Sequence, residues 1–171
     1  VVVVLDGDSL LSSLPLALTE ARLQHLMVLT FTTNPILALR APDQRERRIV
    51  EISSGSFASR HDGLDGLVLR GGSDWRIRFD DGRMVLDGRL ALSTRSGEAI
   101  AIRFVGRRSG EADLLTALDR GDDVRADAYY LRLAMTFETD STRFFWLNDT
   151  IAIAKGEYRP EGQVYNVLRL L

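Results

Sequence analysis

The sequence predicts an all-β domain, an antiparallel barrel or sandwich, from three observations. Apolar and polar side chains alternate with a period of two, helical periodicity is scarce, and short turns rich in Gly, Asp and Ser separate the alternating stretches. Many strands joined by tight turns within 171 residues fit one domain over 1–171, with residues 1–13 as an irregular N-terminal extension.

Taken in order, strands are expected at Leu14–Leu18, Leu26–Thr33, Arg47–Ser53, Gly66–Leu69, Asp74–Phe79, Arg83–Ser93, Ala99–Val105, Tyr129–Thr139, Phe144–Ala154 and Gln163–Leu170. TEARLQHLM (19–27) begins with helical character but runs into the β-rich VLTFTT. One short helix is expected near residues 113–120, within EADLLTALDRG. Acidic residues open it, Leu114, Leu115 and Leu118 form its apolar stripe, and Gly121 stands at the C-cap.

Turn chemistry sets the registers. In DDGR, Asp81-Gly82 is expected as a two-residue hairpin loop, because both residues tolerate positive φ. That register sets Trp75, Ile77 and Phe79 opposite Gly88, Leu86 and Met84. It also sets Arg76 opposite Asp87 and Asp74 opposite Arg89. In the next turn, RSG forms a three-residue loop with Gly97 left-handed, which pairs Leu92 with Ile100, Leu90 with Ile102 and Arg89 with Arg103. Matching faces further along pairs Phe137 with Phe145, Met135 with Leu147 and Leu131 with Ile151.

Composition narrows the function classes. The chain is 45% hydrophobic and 27% charged, an ordinary globular balance. A net charge of −2 offers no general attraction to nucleic acid or anionic membrane, so neither is an expected partner. The absence of cysteine excludes disulfides, zinc-thiolate sites and Cys nucleophiles. VVVVLDGDSLLSSL lacks the basic flank and unbroken apolar core of a signal peptide, and no apolar run approaches the ~18 residues of a membrane span. A cytoplasmic location is expected.

Several chemistries lack their motifs. His25 and His61 stand in no ligand spacing, and LDGDS and DGLDG lack the other ligands of a calcium loop, so no metal is expected. GGSDW is not a nucleophile elbow, and RGGSDW enters a strand where phosphate loops enter a helix. No cofactor is expected.

What the registers do produce is a polar face. It collects Asp74, Arg76, Asp87, Arg89, Arg103, Tyr130, Arg132, Glu138, Trp146 and Asn148, with the small residues Ala91, Ala101, Ala134 and Thr136 between them. One reading is a solvated outer surface decorated with ion pairs. The other is a pocket, where small residues leave volume, aromatic rings offer apolar contact and a few charges orient a ligand.

GGSDW, LDGRLALST, YYLRLAMTFET and FFWLN, in this order and spacing, resemble the domain-of-unknown-function family 3237 of small bacterial and fungal proteins. The resemblance runs from about Leu14 to the C-terminus. Where the family pattern has an Asp-Gly turn after the second strand, this chain has Ser96-Gly97. The resemblance implies a compact β-barrel, so the fold expected is a single antiparallel β-barrel of roughly 8–10 strands with one short helix near residues 113–120. Its signature falls on Asp74, Trp75, Asp87, Arg89, Tyr130, Arg132, Glu138, Trp146 and Asn148.

Acid–base chemistry without a cofactor is the reading that remains. Glu138, Asp87 and Tyr130 are the candidate catalytic residues, with Glu138 as general base and Tyr130 as proton donor. Asp74, Trp75, Arg89, Arg132, Trp146 and Asn148 are the candidate substrate-binding residues, and Arg89 or Arg132 would stabilise a carboxylate or enolate. Two classes stay open: an isomerase, cyclase or lyase acting on a small, partly apolar metabolite, or a non-catalytic small-molecule-binding barrel. A polar lumen would turn Met84, Leu86, Leu90, Leu92, Ile100, Ile102, Leu131, Leu133, Met135 and Leu147 outward. Covering that wall would require the helix or a second subunit, so a homodimer or larger ring is expected.

Overall fold

The computed structural model describes residue 8 and residues 12–40 and 45–171. A short helix α1 (Leu16–Thr19) precedes β1 (Leu23–Thr33), β2 (Leu37–Arg40), β3 (Glu46–Ala58), β4 (Gly66–Val68), β5 (Ser73–Arg78), β6 (Met84–Thr94) and β7 (Ala99–Ser109). Helix α2 (Ala112–Arg120), β8 (Tyr130–Glu138), a 3-10 turn (Phe145–Asp149), β9 (Ile151–Arg159) and β10 (Gly162–Leu170) complete the chain. The irregular extension expected over residues 1–13 falls largely outside the described residues.

All strand pairs among the described residues are antiparallel, and the sheet closes on itself in the order β1-β10-β9-β8-β7-β6-β4-β3, with β3 returning to β1. Because β5 pairs with the same neighbours as β4, and β2 only extends β3, the ten strands make a closed eight-strand barrel. Eight strands enclose just enough space for side chains to fill. The aliphatic face fills it: along β6 and β7, Met84, Leu86, Leu90, Leu92, Ile100, Ile102 and Phe104 are all buried. Leu131, Leu133, Met135 and Leu147 are buried with them, so the expected outward aliphatic wall is instead the core. The argument for a second subunit that rested on that wall falls away.

The β6–β7 hairpin has the expected loop, with Gly97 at φ 94 and Leu92 facing Ile100. The β5–β6 hairpin does not. The Gly82 N–H donates to the Phe79 carbonyl and the Phe79 N–H donates to the Arg83 carbonyl, both at 2.9 Å, so the loop has three residues, Asp80 to Gly82. Gly82 takes the left-handed position at φ 81, as in a type I turn closed by a bulge. One extra loop residue slips the register by one. Asp74 now faces Gly88 and Ser73 faces Arg89, so Trp75 shares the outer face with Arg89 while Asp74 and Arg76 point into the barrel.

Two further expectations need correction. Leu14–Leu18 is not a strand; a turn closed by the Leu18 N–H on the Pro15 carbonyl leads through α1, where proline's missing N–H costs nothing. Phe144–Ala154 is not one strand either. Consecutive three-residue hydrogen bonds, Leu147 to Phe144 and Thr150 to Leu147, wind its first half into the 3-10 turn. β9 therefore begins at Ile151, opposite Thr136, and the pairing of Phe137 with Phe145 does not form. TEARLQHLM joins β1 from Leu23, and β2 was not anticipated.

The two barrel ends differ. Leu64, Phe144 and Leu147 plug one end. At the other, α2 lies across the rim, burying Leu115 and Leu118 for about 2 kcal/mol each. Gly121 at φ 85 ends this helix as expected, with the Asp122 N–H on the Ala117 carbonyl. No helix among the described residues is long and apolar enough to cross a membrane.

Candidate active site at the barrel mouth

Inward positions change character as the strands approach the α2 end. β7 runs Ile100, Ile102, Phe104, Gly106 and then Arg108, while β9 runs Ala152, Ala154, Gly156 and then Tyr158. β5 brings Asp74 and Arg76, and β10 brings Gln163 and Tyr165. Gly156 is small for a reason: a Cβ there would lie 2.5 Å from Leu131 and 3.0 Å from Tyr165. The result is an apolar barrel with a polar mouth.

One network joins these groups. The Arg76 Nε donates to Asp74 Oδ2 at 2.6 Å, and its Nη2 donates to Gln163 Oε1 at 3.2 Å. The Tyr165 hydroxyl donates to the same Gln163 oxygen at 2.9 Å. Arg76 and Arg108 both place their guanidinium carbon 5.6 Å from the centre of the Tyr158 ring. Arg108 Nη2 donates to the Gly82 carbonyl and to Asp119 Oδ1 on α2, at 2.9 and 2.7 Å. Arg78, at 2.6 Å, and Arg48, at 3.4 Å, also reach Asp119, so one carboxylate from the helix ties down three strands.

Burial opposes ionisation of each acid here, but the net outcome differs with the partners. It pushes the Asp74 carboxyl above the ordinary carboxylate range, against the Arg76 guanidinium and the Asp87 backbone N–H. It opposes the Asp119 charge too, but there Arg108, Arg78 and Arg48 prevail and hold that carboxyl below its usual value. The Tyr165 hydroxyl is driven well up by burial.

Five buried polar atoms find no partner among the described residues, and three of them belong to this network and its rim: Asp74 Oδ1, the Tyr158 hydroxyl and Arg108 Nε; the other two are His25 Nδ1 and Asp87 Oδ1. Unsatisfied buried groups are costly, and the grouping of those three marks where a ligand is expected. Arg108 and Tyr158 line a cavity of about 340 Å³ together with Ile36, Arg76, Met84 and Leu118 among others, and Asp74 joins it through its bond to Arg76. That volume suits a small molecule. Guanidinium N–H groups and a phenol around an apolar edge can hold an oxyanion and move a proton beside it. No group of three or more His, Asp or Glu side chains among the described residues is placed to hold a metal ion.

The sequence-expected residues divide between three places. Asp74 alone enters the mouth network. Trp75, Asp87, Arg89, Tyr130, Arg132 and Glu138 lie on the outer wall, where Arg89 and Glu138 share one groove and Tyr130 and Arg132 another. Trp146 and Asn148 belong to the 3-10 turn at the plugged end. There Trp146 stacks near His61 and Arg169, and Asn148 is bonded to both the N–H and the carbonyl of Thr139, at 2.9 and 3.0 Å. The structure does not bring the nine to one pocket.

Arg108, Tyr158, Gln163 and Tyr165 escaped the sequence reading. Their signal was parity: each continues an inward register, and Arg159–Gly162 closes a two-residue hairpin over Pro160-Glu161 that fixes the parity of β9 and β10.

Comparison with known proteins gives the chain a lineage. The family described as protein of unknown function (DUF3237) matches residues 21–170. A UPF0311 protein of Clostridium acetobutylicum is 31% identical over 143 residues, covering 83% of this chain and 89% of that one. The crystal structure of a conserved protein of unknown function from Rhodopseudomonas palustris superposes with a TM-score of 0.81 at 25% identity, over 89% of this chain and 98% of the other. An enzyme from Penicillium herquei shares the fold, with a TM-score of 0.67 at 19% identity over 93% and 98% of the two chains.

Proposed function

The chain belongs to the DUF3237 family of unknown function, and from its mouth chemistry we propose a cofactor-independent acid–base enzyme, an isomerase, cyclase or lyase. Its substrate is a small, partly apolar metabolite with an oxygen that gains negative charge during reaction. The observation that carries this reading is the unpartnered Tyr158 hydroxyl and Arg108 Nε on one cavity, backed by the buried Asp74–Arg76 pair. The substrate oxygen lies against Arg108 and Arg76, whose fixed N–H groups stabilise the developing oxyanion. Tyr158 transfers the proton at the adjacent atom. Asp74 acts as a positioning residue: its Oδ2 fixes the Nε edge of Arg76, so the rest of that guanidinium faces the cavity. Ile36, Met84 and Leu118 receive the apolar part of the substrate.

Hydrogen–deuterium exchange by NMR tests this directly. Wild-type protein incubated in D₂O with a panel of enolisable carbonyl compounds should exchange the α-hydrogen of at least one. Tyr158→Phe should slow that exchange by about a hundredfold or more while retaining binding. Binding to the mouth with no exchange by the wild type would instead identify a non-catalytic small-molecule-binding barrel.

A further inference from the structure

The outer wall carries a second charged concavity, remote from the mouth in chemistry as well as position. A groove of about 730 Å³ runs over β6 and β7, between the turn before β5 and the end of β8. Its floor is small: Ala91 faces Ala101, and Ala101 faces Glu138. Its charges are Arg70 at the rim, Arg89, Arg103 and Glu138. Arg89 and Arg103 are direct cross-strand partners, an arrangement in which like charges repel. None of these four side chains makes an ion pair or hydrogen bond among the described residues.

Elsewhere this chain pairs its arginines readily. Arg83, Arg95, Arg120, Arg125 and Arg159 each take a nearby carboxylate, even at exposed positions. Three guanidiniums around one carboxylate leave this groove with a local charge of +2, which Glu138 does not neutralise. The turn at Gly71 and Gly72 also presses onto the floor: a Cβ at Gly72 would lie 2.8 Å from the Arg89 carbonyl oxygen. That close approach holds the rim against β6.

The geometry points to a binding site for a small oxyanion, a carboxylate or phosphate, held by Arg70, Arg89 and Arg103. Planar guanidinium forks grip such groups through paired N–H donors. Glu138 at the far edge takes a hydroxyl or ammonium donor of the same molecule, so the preferred ligand is a hydroxylated or zwitterionic acid rather than a bare anion. The site does not depend on the acid–base reading of the mouth.

The test is an NMR titration of the arginine Nε–H resonances with citrate, repeated with inorganic phosphate, at low salt. Saturable one-to-one shifts of Arg89 and Arg103 are expected, and Arg89→Ser should weaken the binding at least tenfold. A stronger response to citrate identifies the carboxylate as the recognised group, and a stronger response to phosphate identifies the phosphate. Glu138→Gln should tighten phosphate and weaken the preference for citrate's hydroxyl over tricarballylate, the same tricarboxylate without it. Linear, unsaturating shifts that Arg89→Ser leaves unchanged would overturn the site. So would saturable binding abolished by Tyr158→Phe but not by Arg89→Ser, which would put the anion in the mouth.

Discussion

The barrel mouth and the outer groove are built from the same residue, arginine, under opposite rules. In the mouth, Arg76 and Arg108 are nearly inaccessible to water, and each is bound to a carboxylate: Asp74 in one case, Asp119 in the other. On the outer wall, Arg89 and Arg103 are exposed, face one another and pair with nothing among the described residues. Burial makes partners obligatory, since an unpaired buried charge costs several kcal/mol, whereas water and salt tolerate an unpaired surface charge. Buried charge in the mouth is therefore bound up with stability, whereas exposed charge on the outer wall can be changed with little effect on it. Mutations should reveal that contrast.

The largest effect is expected from Arg76→Met. It leaves Asp74 buried without its cation and should cost about 3–5 kcal/mol at pH 7, read from urea denaturation. The pH dependence fixes the cause. Burial already raises the Asp74 carboxyl above its ordinary value of 3.8, and removing Arg76 removes its principal opposition. A carboxyl raised in the folded state favours folding below its unfolded value, and that contribution is lost as pH rises through the folded value. The variant should therefore recover part of its deficit as the pH is lowered toward 4. A deficit independent of pH would show that lost packing, not stranded charge, dominates.

Asp119→Ala comes next, at about 3 kcal/mol, because it strands the buried Arg108 and releases the hold on Arg48 and Arg78. Here the sign reverses. The Asp119 carboxyl is lowered in the folded state, so its contribution is present above the ordinary value of 3.8 and is lost as pH falls through the lower, folded one. Hydrogen exchange should show α2 opening first, both in the variant and in wild type under strong acid. Uniform loss of protection across the barrel would refute a local latch.

The same contrast explains what the sequence could disclose. The succession of strands from β5 to β8 and the Gly97 turn were legible because alternation and left-handed glycines are local signals. Which face lies inside was not local. Ala101 and Ala134 beside Tyr130 and Glu138 resembled a pocket lining, yet eight strands leave room for little more than the aliphatic side chains of the other face. A single misjudged loop residue at Asp80 then placed Asp74 and Arg76 on the wrong side. Gly88, the residue facing Asp74, was the available clue: a Cβ there would strike the Phe104 ring at 2.1 Å, so that side of the pair is the crowded interior. Tyr158 was lost because Phe144–Ala154 was read as one strand. The sharp i to i+3 turns after Phe144 depend on Asn148 bonding to Thr139, a pairing no periodicity displays.

The smallest effect is expected from Arg103→Thr on the outer wall, and its smallness is the informative part. Arg103 stands opposite Arg89 on one side and Thr136 on the other, with no partner among the described residues to lose. Removing one of two facing cations relieves repulsion, and threonine suits a strand, so the variant should be stabilised by less than about 0.5 kcal/mol at low salt. Because the repulsion acts through solvent, it should fade over the 0.15 M salt range, where screening reaches roughly 8 Å. Thermal melts of wild type and variant at low and physiological salt would measure both. A loss exceeding about 1 kcal/mol would mean that Arg103 packs or pairs structurally, and the groove's charge would then belong to the fold rather than to a ligand.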